Sequence, residues 1–275
     1  MWYVTIEPSG GFGNQMFMVA AMLGYADLYG HTPVFLKSVD GSNDHPNSVC
    51  KVSELFSNIP VRPELSNLPW QTIHEAPGNA FTYTSLPDIQ GHVRLKGYFQ
   101  SERYFPKQGI SVSLYPPMFS CISYMKCDWS NTFFLHIRRG DYLHPLNTHH
   151  NISLLPYIRK CLTEYDSERH TCFVVSDDIE WCRRELPFLI PEWSKWMFCS
   201  SECSDLETLF WMQLCMQGGI CANSSFSWWS AYFLHHKKEP SVRIFMPAQW
   251  GTPPLPPARD LHPSWARKVE LISDM

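Results

Sequence analysis

Apolar and polar positions along this chain switch repeatedly between a period of two and a period near 3.6, dividing it into βα units. Near the start, WYVTIE (residues 2–7) has the β-branched, aromatic run of a strand. SGGFGNQ (9–15) reads as a tight loop, and MFMVAAMLGYADLYG (16–30) as a helix closed by Gly30 at its C′ position. TPVFLK (32–37) reads as a second strand, giving the βαβ opening of a parallel sheet. From Asp40 to about Ser130 the pattern is irregular and rich in Pro, Asn and Ser, with one aromatic cluster, GYFQSERYF (97–105). Alternation resumes near Thr132. NTFFLHI, CFVVS and GGICA read as strands; LLPYIRKCLTEY, DDIEWCRREL, SDLETLFWMQLCMQ and SFSWWSAYFLHH read as helices. Ser204 and Glu207 have capping-box spacing, and Gly218 stands where a helix stop is expected. PPLPP (253–257) excludes regular structure, so the tail is expected to wrap the surface. The pattern predicts an α/β protein of two Rossmann-like halves, 1–130 and 131–275.

Composition narrows the function classes. Lys and Arg total 22 against 26 Asp and Glu, a net charge of −4, so no global basic field draws the chain to nucleic acid. No stretch is long and apolar enough for a membrane-spanning helix, and MWYVTIEPSGG lacks the basic and apolar regions of a signal peptide. A cytoplasmic setting is therefore expected. It suits the cysteines too: Cys172, Cys182, Cys215 and Cys221 fall in apparent strands and helices, where thiols pack as small hydrophobes, and Cys199 and Cys203 lack a second pair at zinc-finger spacing. Asn151 and Asn223 begin formal glycosylation sequons, and a glycan on Asn223 would obstruct a candidate site.

Ligands of open α/β sheets bind outside the carboxyl ends of strands, and four loops there carry chemistry. Gly10–Gln15 brings glycine-rich backbone to a helix N-terminus, an arrangement open to an anion or to a plain tight turn; it matches neither a Walker loop nor a full G-x-G-x-x-G. HIRRGD (136–141) ends a strand: alternation puts His136 and Arg138 on one face and Arg139 on the other. A guanidinium there suits a phosphate or carboxylate; pairing with Asp141 is the competing reading, and one structural arginine plus one ligand arginine is expected. Arg139-Gly140-Asp141 also spells the adhesion tripeptide, which requires a mobile exposed loop rather than this packed strand end. Asp177 and Asp178 read as a helix N-cap, a partner for a base edge, or half a metal site lacking further oxygen ligands. Asn223–Ser227 opens a helix with short polar side chains that either cap it or gather its amides around a phosphate. Together the loops favour a nucleotide-linked donor.

GGFGNQMF, GYFQSERYF, HIRRGDY, FVVSDDIEWCRREL and ANSSFSWWSAYF, in this order, resemble the α-1,2-fucosyltransferases of glycosyltransferase family 11. The resemblance spans nearly the whole chain except about Asp40 to Thr84. It implies a GT-B fold, two Rossmann-like domains facing across a cleft that holds GDP-β-L-fucose, with inversion at the anomeric carbon and neither metal nor cofactor. Arg138 matches the arginine that grips the donor diphosphate, with Arg139 beside it. His136, Asp177 and Asp178 match positions that contact guanine or ribose. Asn223, Ser224, Ser225, Phe226 and Ser227 match the phosphate-binding helix start; Gly11, Phe12, Gly13, Asn14 and Gln15 match the loop that closes over the donor. Tyr98, Gln100 and Glu102 are the acceptor candidates. Asp141 and Glu102 are the carboxylates for deprotonating the acceptor hydroxyl, and an arginine-held Asp141 would be the weaker base. Another nucleotide sugar as donor, or an inactive sugar-binding relative, are the competing readings.

Overall fold

The computed structural model describes residues 1–37, 52–76, 78, 80–114, 124, 126–238 and 242–271. The chain folds as two compact units: 1–113 with 256–263, and 114–255 with 264–275. The expected boundary at 130/131 thus compares with an observed division after Ser113, and a short tail segment returns to the first unit.

The first unit opens with β1 (Tyr3–Ile6), α1 (Phe12–Tyr29) and β2 (Thr32–Pro33). α1 begins four residues earlier than its apolar run, so Phe12–Gln15 form its first turn and only Ser9–Gly11 remain as loop. It ends as expected, with Gly30 left-handed (φ 72°) and its N–H on the Ala26 carbonyl. Gly24 lets the Tyr104 carbonyl press against the helix where any Cβ would collide. The strand expected over 32–37 shrinks to two residues: the Val34 N–H still reaches the Val4 carbonyl, but Phe35 then exchanges bonds with the Pro60 carbonyl and the Arg62 N–H, bridging Val61 instead of β1. A short helix α2 (Val52–Leu55), β3 (Trp70–His74) and β4 (His92–Lys96) follow. These strands lie in the stretch that the pattern left irregular, parts of which, 40–51, 77, 79, 115–123 and 125, lie outside the described residues. The parallel sheet runs β2-β1-β4-β3.

The second unit contains β5 (Thr132–Ile137), α3 (Leu155–Leu162), β6 (Thr171–Ser176), α4 (Ile179–Leu189), β7 (Trp196–Phe198), α5 (Asp205–Met212), β8 (Gly218–Ile220), α6 (Ser225–Lys238), β9 (Arg243–Pro247) and β10 (Arg267–Val269). Its sheet is parallel throughout in the order β10-β9-β8-β5-β6-β7. All six residues of β5 are buried, as a central strand covered on both faces requires. The Ser204–Glu207 capping box forms at α5. Gly218, however, does not stop that helix, which ends at Met212. It starts β8 at φ 105°, where a Cβ would strike the Arg243 backbone, and a Cβ on Gly219 would strike the Phe134 ring. The Gly-Gly pair exists for close strand packing. The tail likewise departs from expectation, since β10 pairs with β9 beyond the prolines. Eight of the cysteines are described, and Cys161, Cys172, Cys182, Cys199, Cys215 and Cys221 among them are buried thiols outside any disulfide. Burial pushes the Cys182 thiol up to about 11 and the Cys172, Cys215 and Cys221 thiols well above their usual range.

Candidate active site

In each sheet the chain reverses its direction of travel at one point, and the loops diverge there. In the second unit that point lies between β5 and β8, so the segments leaving Ile137 and Ile220 border it, with the β6 end alongside. The three candidate loops of this unit therefore gather at one edge.

Arg138 leaves β5 with its guanidinium between two carboxylates, Asp141 Oδ1 at 2.6 Å and Asp177 Oδ2 at 3.0 Å. Burial works against its charge, but Asp177 and Asp141 outweigh this and hold its pKa above that of an ordinary arginine. The side chain keeps 26% of its surface exposed. Arg139 is bound the other way: its Nε donates to Asp178 Oδ2 (3.1 Å), its N–H to Asp177 Oδ1 (2.9 Å), and its guanidinium lies 3.6 Å over the Trp181 ring. Both arginines thus carry internal pairs, where one was expected to be structural and one committed to ligand. Asp178 is also the N-cap of α4, accepting from the Trp181 N–H. Gly140 is required because Asp177 occupies the space of a Cβ. The adhesion-like tripeptide is consequently pinned at its arginine and its aspartate.

His136 is buried within β5, its ring 5.7 Å from that of Phe226. Burial, reinforced by the Arg138 charge, pushes its pKa down to about 3, so the ring is neutral. Its Nδ1 meets no hydrogen-bond partner among the described residues. Tyr142 donates to the Asn223 carbonyl (2.9 Å) and stacks on His150 at 4.9 Å. Asn223, 1% exposed, spends its amide on the His150 and Trp250 carbonyls, both at 2.9 Å, leaving no room for a glycan. Ser227 is buried and donates to the Ala222 and Ser224 carbonyls. Within Asn223–Ser227, it is Ser225 and Phe226, at the start of α6, that keep exposed surface. The first turn of α6 contains no acidic residue to oppose an anion. His150 escaped the sequence reading, since an isolated His-His pair in a loop gives no pattern.

The remaining candidates assemble in the first unit, at the switch between β1 and β4. Gly10 (φ 68°) is tightly surrounded: a Cβ would lie 2.8 Å from Asn14 Nδ2 and 3.0 Å from the Tyr98 hydroxyl. Gln100 donates to Asn14 Oδ1 at 2.7 Å, and buried Gln15 to the Gly10 carbonyl at 3.0 Å. Gly11 N-caps α1 without a side-chain bond, Phe12 is buried, and Gly13 follows within the first turn. Tyr98 and Gln100 are therefore joined to the Gly10–Gln15 segment. Glu102 lies one turn further on, in the short 3₁₀ helix Glu102–Tyr104 that Ser101 caps. Glu75, which no motif pointed to, joins this group: its carboxylate accepts the Tyr98 and Phe99 N–H groups at 2.8 and 2.9 Å.

Comparison with known proteins bears on this arrangement. The profile of glycosyl transferase family 11 matches residues 1–248. The alpha-1,2-colitosyltransferase of Escherichia coli is 28% identical over 273 residues, covering 86% of this chain and 89% of that enzyme. The O-antigen biosynthesis glycosyltransferase WbnK of Escherichia coli is 31% identical over 113 residues, 38% of this chain and 35% of its own. Among solved structures, fucosyltransferase NodZ from Bradyrhizobium superposes with a TM-score of 0.49 at 16% identity, covering 85% of this chain and 94% of that one.

Proposed function

The chain belongs to glycosyl transferase family 11, and we propose that it moves L-fucose from GDP-β-L-fucose to the 2-hydroxyl of a β-galactoside-like glycan, inverting the anomeric centre without a metal ion. The observation that carries this reading is Arg138, a doubly paired but partly exposed guanidinium at the carboxyl end of β5, bordering the same switch point as the start of α6. A guanidinium fork and helix N–H groups are the donors that an outgoing diphosphate needs.

In the proposed step the acceptor oxygen attacks the anomeric carbon from the face opposite the phosphate. The bond from that carbon to the β-phosphate oxygen breaks, its electron pair leaves with GDP, and Arg138 and the α6 amides meet the charge as it develops. Arg139, held against Asp178 and Trp181, fixes the strand end from which Arg138 projects. His136 stays neutral beside the site, and with Asp177 and Asp178 forms the proposed contact surface for guanine or ribose. The Gly11–Gln15 segment is the donor-side contribution proposed for the first unit, and Tyr98, Gln100 and Glu102 the acceptor side. Asp141, engaged by Arg138, and Glu102 are the two carboxylates proposed for the acceptor proton.

A second reading has its own support: the relative matched over most of the chain transfers colitose, which is fucose without its 3-hydroxyl. Thermal shift with GDP, UDP and ADP, followed by turnover of GDP-fucose and GDP-colitose with and without chelator, separates the readings. Stabilisation by GDP alone and chelator-resistant turnover of GDP-fucose are expected. Preference for UDP would overturn the donor assignment; faster use of GDP-colitose would change the sugar; GDP binding without turnover of either would indicate an inactive relative.

A further inference from the structure

A cavity of about 340 Å³ opens at the carboxyl edge of the first unit's sheet, lined by Ser9, Glu75, Ala76, Lys96, Gly97 and Tyr98. That volume falls within the about 300–1,000 Å³ of small-molecule sites. Its wall is a turn in an unusual conformation. Gly97 has φ 148°, and Glu75 fills the space of its missing Cβ. Phe99, fully buried, has φ 52°, a left-handed conformation rare outside glycine. The Ser101 N–H then closes on the Phe99 carbonyl at 2.8 Å, a three-residue turn over Gln100. Strained backbone of this kind persists where its surroundings over-determine it, and it concentrates at ligand sites. Here the surroundings are the Glu75 carboxylate, one oxygen on each of the Tyr98 and Phe99 amides, and the Gln100–Asn14 bond.

We propose that this cavity is a neutral-sugar subsite for the acceptor, with Tyr98 as its aromatic wall and Glu75 as the carboxylate that both sets the turn and receives sugar hydroxyls. The inference rests on the glycosyltransferase reading and adds a residue and a ligand class to it. The chemistry favours a neutral ligand. Lys96, the cation of the lining, is paired with Glu7 at 3.0 Å, while Glu75 brings negative charge, so an anionic group has no partner there. A carboxylate offers about four acceptor positions, of which the two amides use two; hydroxyl donors take the others. Burial raises the Glu75 pKa against the lowering effect of those amides, the response of a carboxylate set into a wall rather than one in open solvent.

The test is steady-state kinetics of Glu75→Gln and Gly97→Ala with GDP-fucose and a β-galactoside, alongside GDP thermal shift and acceptor-free hydrolysis of GDP-fucose. Glutamine keeps the shape but presents an N–H₂ to one of the two amides; alanine at 97 displaces Glu75. Both are expected to raise the acceptor KM about 10- to 100-fold, the worth of a hydrogen bond to a charged group, and well beyond any change in donor KM, hydrolysis or GDP shift passed on through the Gln100–Asn14 bond. An unchanged acceptor KM, or acceptor and donor constants rising together, overturns the subsite. If Glu75→Gln melts below assay temperature, Glu75→Asp carries the same test: the charge on a shorter stem gives a smaller acceptor-only defect, and a uniform defect overturns the proposal. A wild-type protein that ignores GDP and transfers nothing overturns the glycosyltransferase reading itself, and is told apart by failing before any variant is made.

Discussion

Replacing Arg138 with alanine has two effects of different size, and their separation tests the role assigned to it. The first is structural. Asp141 and Asp177 lose the cation they share at 2.6 and 3.0 Å. Breaking a fully buried pair costs about 3–5 kcal/mol. With a quarter of the Arg138 side chain in solvent, screening reduces this to about 1–3 kcal/mol, a fall in Tm of roughly 2–12 °C for a chain of this size. The second is catalytic: removing one preorganised donor from a developing negative charge slows kcat by about 100- to 1,000-fold. Thermal melting and kcat at saturating donor and acceptor measure the two independently. The double variant Arg138→Ala/Asp141→Asn sharpens the separation, because removing one stranded carboxylate should restore part of the Tm while kcat stays low. Arg138→Lys keeps the charge without the two-pronged fork and should fall between wild type and alanine. A folded Arg138→Ala variant with kcat within about threefold of wild type would refute the electrostatic argument.

Three further outcomes are expected. His136, depressed to about 3 from an ordinary 6.5, is protonated in the unfolded chain but not in the folded one between those values. Unfolding therefore takes up a proton in that window, and its contribution to stability falls as pH drops through it by about 1.4 kcal/mol per unit; His136→Gln should remove that slope in denaturant titrations, and an unchanged slope would contradict the burial argument. Gly24→Ala should destabilise the first unit by about 1–3 kcal/mol, since its Cβ would meet the Tyr104 carbonyl; a melting temperature equal to wild type would show that the helix shifts at no cost. Alkylation under native conditions should leave Cys172, Cys215 and Cys221 unmodified by mass spectrometry, because burial disfavours their thiolates; rapid labelling of any of them would place it in reach of solvent.

What the sequence conveyed depended on how each element is stabilised. β5, β6, α1 and α6 bury continuous apolar runs, and α4 and α5 also have the cap signals Asp178 and Ser204 with Glu207, so local pattern marks them. β3 and β4 were invisible because WQTIH and HVRLK bury only Ile73, Val93 and Leu95; pairing along the sheet makes them strands, and that information is non-local. Gly218 shows the converse error: a glycine after a helical run was read as a stop, but its neighbours in space, Arg243 and β9, decide its purpose. In the site, strand alternation separated His136 and Arg138 from Arg139, yet it could not show that Asp177 and Asp178 take one arginine each. Glu75 accepts from the Tyr98 and Phe99 backbone amides, and the His150 backbone carbonyl accepts from the Asn223 side chain; partnerships between side chain and backbone leave no residue pattern along the chain.

The central claim is a chemical one, transfer of fucose with inversion to a 2-hydroxyl. Incubation with GDP-β-L-fucose and a β-galactoside, followed by NMR of the product, tests it most directly. An α-configured fucosyl signal, a correlation from its anomeric proton to galactose C2, and one GDP released per product are predicted. A β linkage, attachment at another hydroxyl, or an untouched donor after GDP binding has been demonstrated would contradict the account.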